Sequence, residues 1–185
     1  GVHRVNDLEP ALIEFMGGND AMAAFLDDIF DNGIYYVGDE FSMHAPYMYN
    51  LCGMPWKTQR RVYDIVNTYY LPQPSGLPGN DDCGQLSAWY LFSAMGFYPM
   101  CPGSTEYQLG VPCLPEIILH LPNGRDLRIV CENFGSGNCY VQSVTLNGKA
   151  LERPAIEHAD ILRGGELRFS VADTPSETCF TSKSR

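Results

Sequence analysis

The sequence predicts an α+β protein: a helical N-terminal half followed by an antiparallel β C-terminal half. Three observations lead there. Apolar residues recur at helical spacing through residues 1–102. Beyond that the texture changes to short runs rich in β-branched and aromatic residues: EYQLG, EIILHL, DLRIVCEN, YVQSVTLNG and ELRFSV. Turn pairs punctuate those runs: Asn123-Gly124, Asn147-Gly148 and Gly164-Gly165, each a hairpin signal. Helices followed by strands indicate separate layers or domains, not a doubly wound sheet. The expected division is 1–102 and 103–185.

In chain order, Asp7 can cap a first helix with Pro10 in its first turn, with Leu12, Ile13, Phe15 and Met16 as its apolar residues. Gly17-Gly18 ends it. Asn19 or Asp20 caps a second helix, whose Met22, Phe25, Leu26, Ile29 and Phe30 form an apolar stripe that stops at Asn32-Gly33. Residues 35–50 read as an aromatic loop holding Asp39, Glu40 and His44. Pro55 opens a third helix with Val62, Ile65, Val66 and Tyr69 on its buried face, and Trp56 near its start. Gly76, Pro78, Gly79 and Gly84 then make a turn carrying Asp81 and Asp82. A helix follows from about Gln85, with Leu86, Trp89, Tyr90, Ser93 and Phe97 on one face, and Gly96, Pro99 and Pro102 stop it. In the β half, residues 158–162 read as a short helical turn, and the polar tail from Ala172 is expected to fray.

Composition narrows the function. A formal net charge of −10, with no basic run longer than Arg60-Arg61, argues against a nucleic-acid partner. No apolar run reaches the length of a membrane span, and no signal-peptide pattern opens the sequence. The seven cysteines include no C-x-x-C pair, so a zinc ribbon or thioredoxin-type site is not indicated. Walker A, dinucleotide, G-x-S-x-G and H-E-x-x-H motifs are also missing.

Two acidic clusters remain, Asp39-Glu40 and Asp81-Asp82. The second sits where a loop enters a helix, so an acidic N-cap explains it as readily as chemistry does. A polar cluster amid tyrosines suits a sugar site, because carboxylates bind hydroxyls and aromatic faces stack on the ring. If the loops converge, one carboxyl can act as acid and the other as base or nucleophile in glycoside hydrolysis. The same oxygens could hold a hard divalent cation.

These residues carry a resemblance. LIEFMGG, GDEFSMHAPYMYN, MPWKTQRRV, GLPGNDDCGQLSAWYLFSAMGFYPMCPGSTEYQLG, VQSVTLNGK and HADILRGGELRF follow the order and spacing of glycoside hydrolase family 92, calcium-dependent exo-acting α-mannosidases. The chain resembles their C-terminal part. The resemblance implies the end of an (α/α)6-barrel catalytic domain, and inverting hydrolysis of terminal α-linked mannose on glycans. It implies Asp82 as the general base, Asp81 as its partner, Asp39, Glu40 and His44 as mannose-binding residues, Glu40 near the calcium, and Trp56 and Trp89 as supports of the subsite. It further implies a periplasmic or secreted location, and a missing N-terminal part that carries the general acid. The 185-residue chain alone is thus expected to be inactive, and helix faces bearing Met22, Phe25, Leu26 and Ile29 to be left uncovered. The sequence departs from the family pattern at Asp39, where Asn is usual, at Phe41, where Pro is usual, and at Met43, where a polar residue is common. A non-catalytic carbohydrate-binding or scaffold relative is the alternative.

Overall fold

A computed structural model describes residues 8–101, 103–176 and 178–180. Two short helices come first, α1 (Leu8–Phe15) and α2 (Asn19–Asp31), separated by Gly17 and Gly18, both at positive φ. Gly18 itself precedes the first turn of α2, so neither Asn19 nor Asp20 caps it from outside. The Asp7 cap lies outside the described residues. Met22, Ala23 and Leu26 bury against Ile13, Met48, Tyr49 and Cys52. Phe25 is exposed and Ile29 half-buried. The expected uncovered face is therefore real at Phe25 and wrong at Met22 and Leu26, which pack on the short helix that follows.

The 35–50 segment is more ordered than a loop. It makes two 3-10 turns, Glu40–Ser42 and Ala45–Tyr47, and then α3 (Met48–Leu51). Tyr47 and Tyr49 are fully buried. They are core residues, not platforms for a sugar. Next come α4 (Pro55–Tyr69) and α5 (Gln85–Met95). Val62, Ile65 and Val66 bury as expected, but Tyr69 is exposed because the helix ends there. Tyr70, one residue on, turns inward and stacks on Trp89 at 5.8 Å. On α5 the buried positions are Leu86, Trp89, Ser93 and Ala94, while Tyr90 stands at the surface. Gly96, left-handed at φ 91°, caps the helix.

Among the described residues eight strands follow: β1 (Phe97–Tyr98), β2 (Glu106–Leu109), β3 (Glu116–His120), β4 (Asp126–Glu132), β5 (Tyr140–Leu146), β6 (Lys149–Ala150), β7 (Ala155–Glu157) and β8 (Gly165–Ala172). They form a three-stranded sheet, β1-β2-β7, and a five-stranded sheet, β3-β4-β8-β5-β6. Asn123-Gly124 turns β3 into β4, and Asn147-Gly148 turns β5 into β6. Gly164-Gly165 makes no hairpin. It joins α6 (His158–Arg163) to β8, and Gly164 ends that helix at φ 69°. The expected helical turn at 158–162 is α6, fixed by a capping box between Glu157 and Asp160.

One pairing departs from the antiparallel expectation: β4 and β8 run parallel, with Leu127 opposite Gly165. Parallel neighbours need a long crossover, and the intervening β5, β6, β7 and α6 supply it. The tail does not fray at once. Cys179 is buried, and Phe180 packs on the sheet core.

Helices and sheet are joined by buried polar contacts. Val141 N–H donates to Gln59 Oε1 at 2.9 Å, and Asn50 Nδ2 donates to the Leu109 carbonyl at 2.9 Å. Tyr63 of α4 and Phe92 and Met95 of α5 pack on the sheet core. The loops ahead of α3 and α5 are thus carried on helices fixed from behind.

Candidate functional site

The two acidic loops meet through their glycines. A Cβ on Gly38 would lie 2.7 Å from Tyr36 Oη and 2.8 Å from the Pro78 carbonyl oxygen. A Cβ on Gly79 would collide with the Gly38 backbone. Only two residues without side chains allow so close a backbone approach. The contact places the Asp39-Glu40 loop beside the Asp81-Asp82 loop.

Further bonds hold the pair. Trp89, buried on α5, donates its Nε1–H to the Met43 carbonyl at 2.9 Å. Gln85 Nε2 reaches Met43 Sδ at 3.4 Å and Tyr98 Oη at 3.3 Å. Met43 itself is buried, so its side chain serves the packing beneath the loop. Trp89 is also surrounded by Tyr47, Tyr70 and Tyr98. Trp56 is half-buried at the start of α4.

Within each loop the two acids differ. Asp81 is a helix cap: its Oδ1 accepts from Ser87 N–H at 2.9 Å and its Oδ2 from Ser87 Oγ at 3.0 Å. Its carbonyl accepts from the Gly84 and Leu86 N–H groups. Such a cap contributes about 1 kcal/mol. Tyr70 registers the nearby charge: burial first, then Tyr98 and Asp81, hold its phenol above the usual range. Asp82 is half-buried, and its carboxylate makes no hydrogen bond or ion pair with the described residues. Its backbone is left-handed at φ 46°, followed by Cys83 at 61° and Gly84 at 96°. A non-glycine residue in that region costs about 1 kcal/mol, and such strain collects at functional sites.

The first loop repeats the arrangement more loosely. Asp39 caps the 3-10 turn, accepting from Phe41 N–H at 3.1 Å. Glu40 is exposed and its carboxylate has no partner among the described residues. Asp39 and His44 line a groove of about 400 Å³ along α2. Desolvation in that groove lowers the His44 pKa, against the pull of Glu9.

The loops meet, but no three His, Cys, Asp or Glu side chains among the described residues gather into a metal cage. A calcium ion takes six to eight oxygens, so Glu40 would be one donor among several. Cys52, Cys83, Cys113, Cys131, Cys139 and Cys179 are free thiols. Burial pushes Cys113 and Cys179 up to about 12 and Cys131 up to about 11, which makes poor nucleophiles of them.

The sequence located the acidic loops and missed what joins them. Gly38 and Gly79 stood in the two motifs, yet a glycine at a turn does not announce its tertiary neighbour. Ser87 lies six residues from Asp81, outside the usual capping spacing.

The profile of the glycosyl hydrolase family 92 catalytic domain matches residues 5–173. A protein of Arthroderma benhamiae described as an uncharacterized secreted glycosidase is 33% identical over 168 residues, which are 89% of this chain and 22% of that protein. Among solved structures, the family GH92 α-mannosidase BT3965 of Bacteroides thetaiotaomicron superposes with a TM-score of 0.83 at 36% identity, over 86% of this chain and 22% of that one. The family GH92 inverting mannosidase BT2199 of the same organism gives 0.87 at 33% identity, over 94% and 27%. The chain spans about a fifth to a quarter of the length of these relatives. It belongs to glycosyl hydrolase family 92.

Proposed function

We propose that this chain is the C-terminal segment of an exo-acting α-mannosidase that removes terminal α-linked mannose with inversion, and that it supplies the general-base side of the site. The observation that carries the reading is Asp82: a half-buried, unpartnered carboxylate held in a left-handed backbone beside the Glu40 loop. A base must keep lone pairs free for the water it deprotonates. Asp82 fits that role better than Asp81, each of whose oxygens already accepts a hydrogen bond from Ser87. Asp81 instead fixes the turn that aims Asp82.

In an inverting reaction the base takes a proton from water as that water attacks the anomeric carbon. An acid protonates the departing oxygen from the opposite side, with the carboxyls about 6.5–9.5 Å apart. That acid is assigned to the part of the longer polypeptide outside this chain. Glu40, Asp39 and His44 are assigned to mannose hydroxyls, Glu40 with its free oxygens first. Glu40 would contribute one ligand to a calcium ion whose other ligands come from elsewhere. Export to the periplasm or the exterior goes with this reading. The relatives named as mannosidases and as a secreted glycosidase support it.

The test is release of mannose from a chromogenic α-mannoside by the longer polypeptide. Asp82→Asn should lower it by about 10³-fold or more, in the range general acid–base catalysis supplies. The 185-residue chain alone should release none. Mannose release by that chain alone, or an Asp82→Asn protein of full activity, would sink the assignment.

A further inference from the structure

In each acidic loop the free acid is held from behind by one neighbour. Gln85 N–H donates to the Asp82 carbonyl at 3.3 Å, and Met43 N–H donates to the Glu40 carbonyl at 3.4 Å. Each bond closes a tight turn on the acid whose carboxylate stands unpartnered. The two side chains then meet: Gln85 Nε2 lies 3.4 Å from Met43 Sδ. A continuous line of contacts therefore runs from Asp82 through Gln85 and Met43 to Glu40. It is separate from the Gly38–Gly79 approach, which joins the loops ahead of their acids. This second link joins them behind.

Gln85 is equipped for the link. Its amide nitrogen carries two protons, and two acceptors lie within reach, Met43 Sδ and, at 3.3 Å, Tyr98 Oη. Both acceptor residues are buried. Tyr98 stacks on Tyr47 at 5.2 Å and is a fixed post. Met43 is pinned from its other side, where its carbonyl accepts from Trp89 Nε1–H at 2.9 Å. A thioether is a weak acceptor, so the phenol sets the plane of the amide and the sulfur follows it. An apolar side chain at position 85 would fill the same space and orient neither partner.

We propose that Gln85 is a positioning residue which, through Met43, sets the spacing between Asp82 and the Glu40 loop. The proposal rests on the reading of Asp82 as the base and Glu40 as a sugar-binding residue. Glu40 places the mannose and Asp82 places the water, and the two placements must agree for the water to attack in line with the departing oxygen. A misplacement of about 1 Å can cost about 10²-fold in rate. Gln85 touches neither sugar nor water; it acts through the two acids.

The test uses the longer polypeptide and the same chromogenic α-mannoside. Gln85→Leu keeps the bulk and removes both donors. It should lower kcat by about 10- to 100-fold, while KM changes by less than about 3-fold. Tyr98→Phe, which removes only the hydroxyl that orients the amide, should act in the same direction by about 3- to 10-fold, the worth of one ordinary hydrogen bond. The decisive readout is the Asp82→Asn background. There Gln85→Leu should change the residual rate by less than about 2-fold, because no base is left to position. In the 185-residue chain, Gln85→Leu should speed amide exchange at Met43, while the Leu86 amide, bonded to the Asp81 carbonyl, stays protected. Equal fold-losses in the two backgrounds, or unchanged exchange at Met43, would overturn the proposal, since Gln85 would then be a packing residue only. Full activity of Gln85→Leu alongside loss on Asp82→Asn would discard the link and keep the proposed function. Full activity of Asp82→Asn would end both.

Discussion

The two acidic loops are built on one plan and to different stiffness. In each, the first acid caps the element that follows and the second stands free: Asp39 then Glu40, Asp81 then Asp82. The second loop is anchored harder. Its capping acid makes two side-chain bonds to Ser87 and two through its carbonyl, at the head of an eleven-residue helix. The first caps a three-residue 3-10 turn through one side-chain bond, with two more to its carbonyl from Ser42 N–H and Oγ. Asp82 is further restricted by its left-handed backbone, and Glu40 is not. A base must meet one water in one geometry, while hydroxyl binding tolerates adjustment. The stiffer loop is thus suited to the chemical step and the looser one to holding sugar.

The largest way to break this pairing is at the glycine contact. Gly79→Ala puts a methyl group into the Gly38 backbone, and neither partner is a flexible side chain that could yield. A destabilisation of about 2–3 kcal/mol is expected, the upper range for overpacking, read from urea melts. Gly53, whose added Cβ would meet nothing within 4 Å but whose φ is 75°, is the control. Its Ala variant tests left-handed strain alone and should cost about 1 kcal/mol. Equal losses at the two sites would mean that the loops are not locked together there.

The adjacent acids sharpen the comparison within one loop. Asp81→Ala removes the acceptor of Ser87 N–H and Oγ and should cost about 1–2 kcal/mol. Asp82→Asn should change stability by less than about 0.5 kcal/mol, since it breaks no described bond and Asn tolerates the left-handed region. The activity effects run the other way in rank if Asp82 is the base. A stability loss at Asp82 larger than that at Asp81 would show that the roles have been exchanged.

How much of this was legible in the sequence depended on range. The five longer strands and the helices at α2, α4 and α5 were readable, because periodicity of apolar residues is a local property. The acidic loops were readable as motifs, and even the acidic-cap reading of Asp81-Asp82 was half right, since Asp81 caps and Asp82 does not. Contacts set by the tertiary fold were not readable. Tyr69 and Tyr90 carry the same apolar signal as Val66 and Trp89, yet they face outward because of where α4 ends and how α5 is rotated. The parallel β4–β8 pair was hidden for a related reason: a strand's residues show that it will pair, and only the whole chain path decides with which neighbour and in which direction.

The smallest expected effect separates the loops by pH. Desolvation lowers the His44 pKa in the folded chain. A histidine whose folded pKa lies below its unfolded value of about 6.5 binds fewer protons folded than unfolded. Stability therefore rises with pH through that window. The contribution is complete above the unfolded pKa and is lost as pH falls toward and past the folded one. Glu9, which favours the protonated ring, limits the effect. The loosening should be local. Between about pH 7 and pH 5, amides of residues 39–44 should gain exchange beyond the intrinsic pH dependence, while those of residues 84–88 should not. His44→Gln should abolish the difference. Acid loosening of both loops together would mean that the Gly38–Gly79 contact transmits the protonation, and that the looser loop is not free to move by itself.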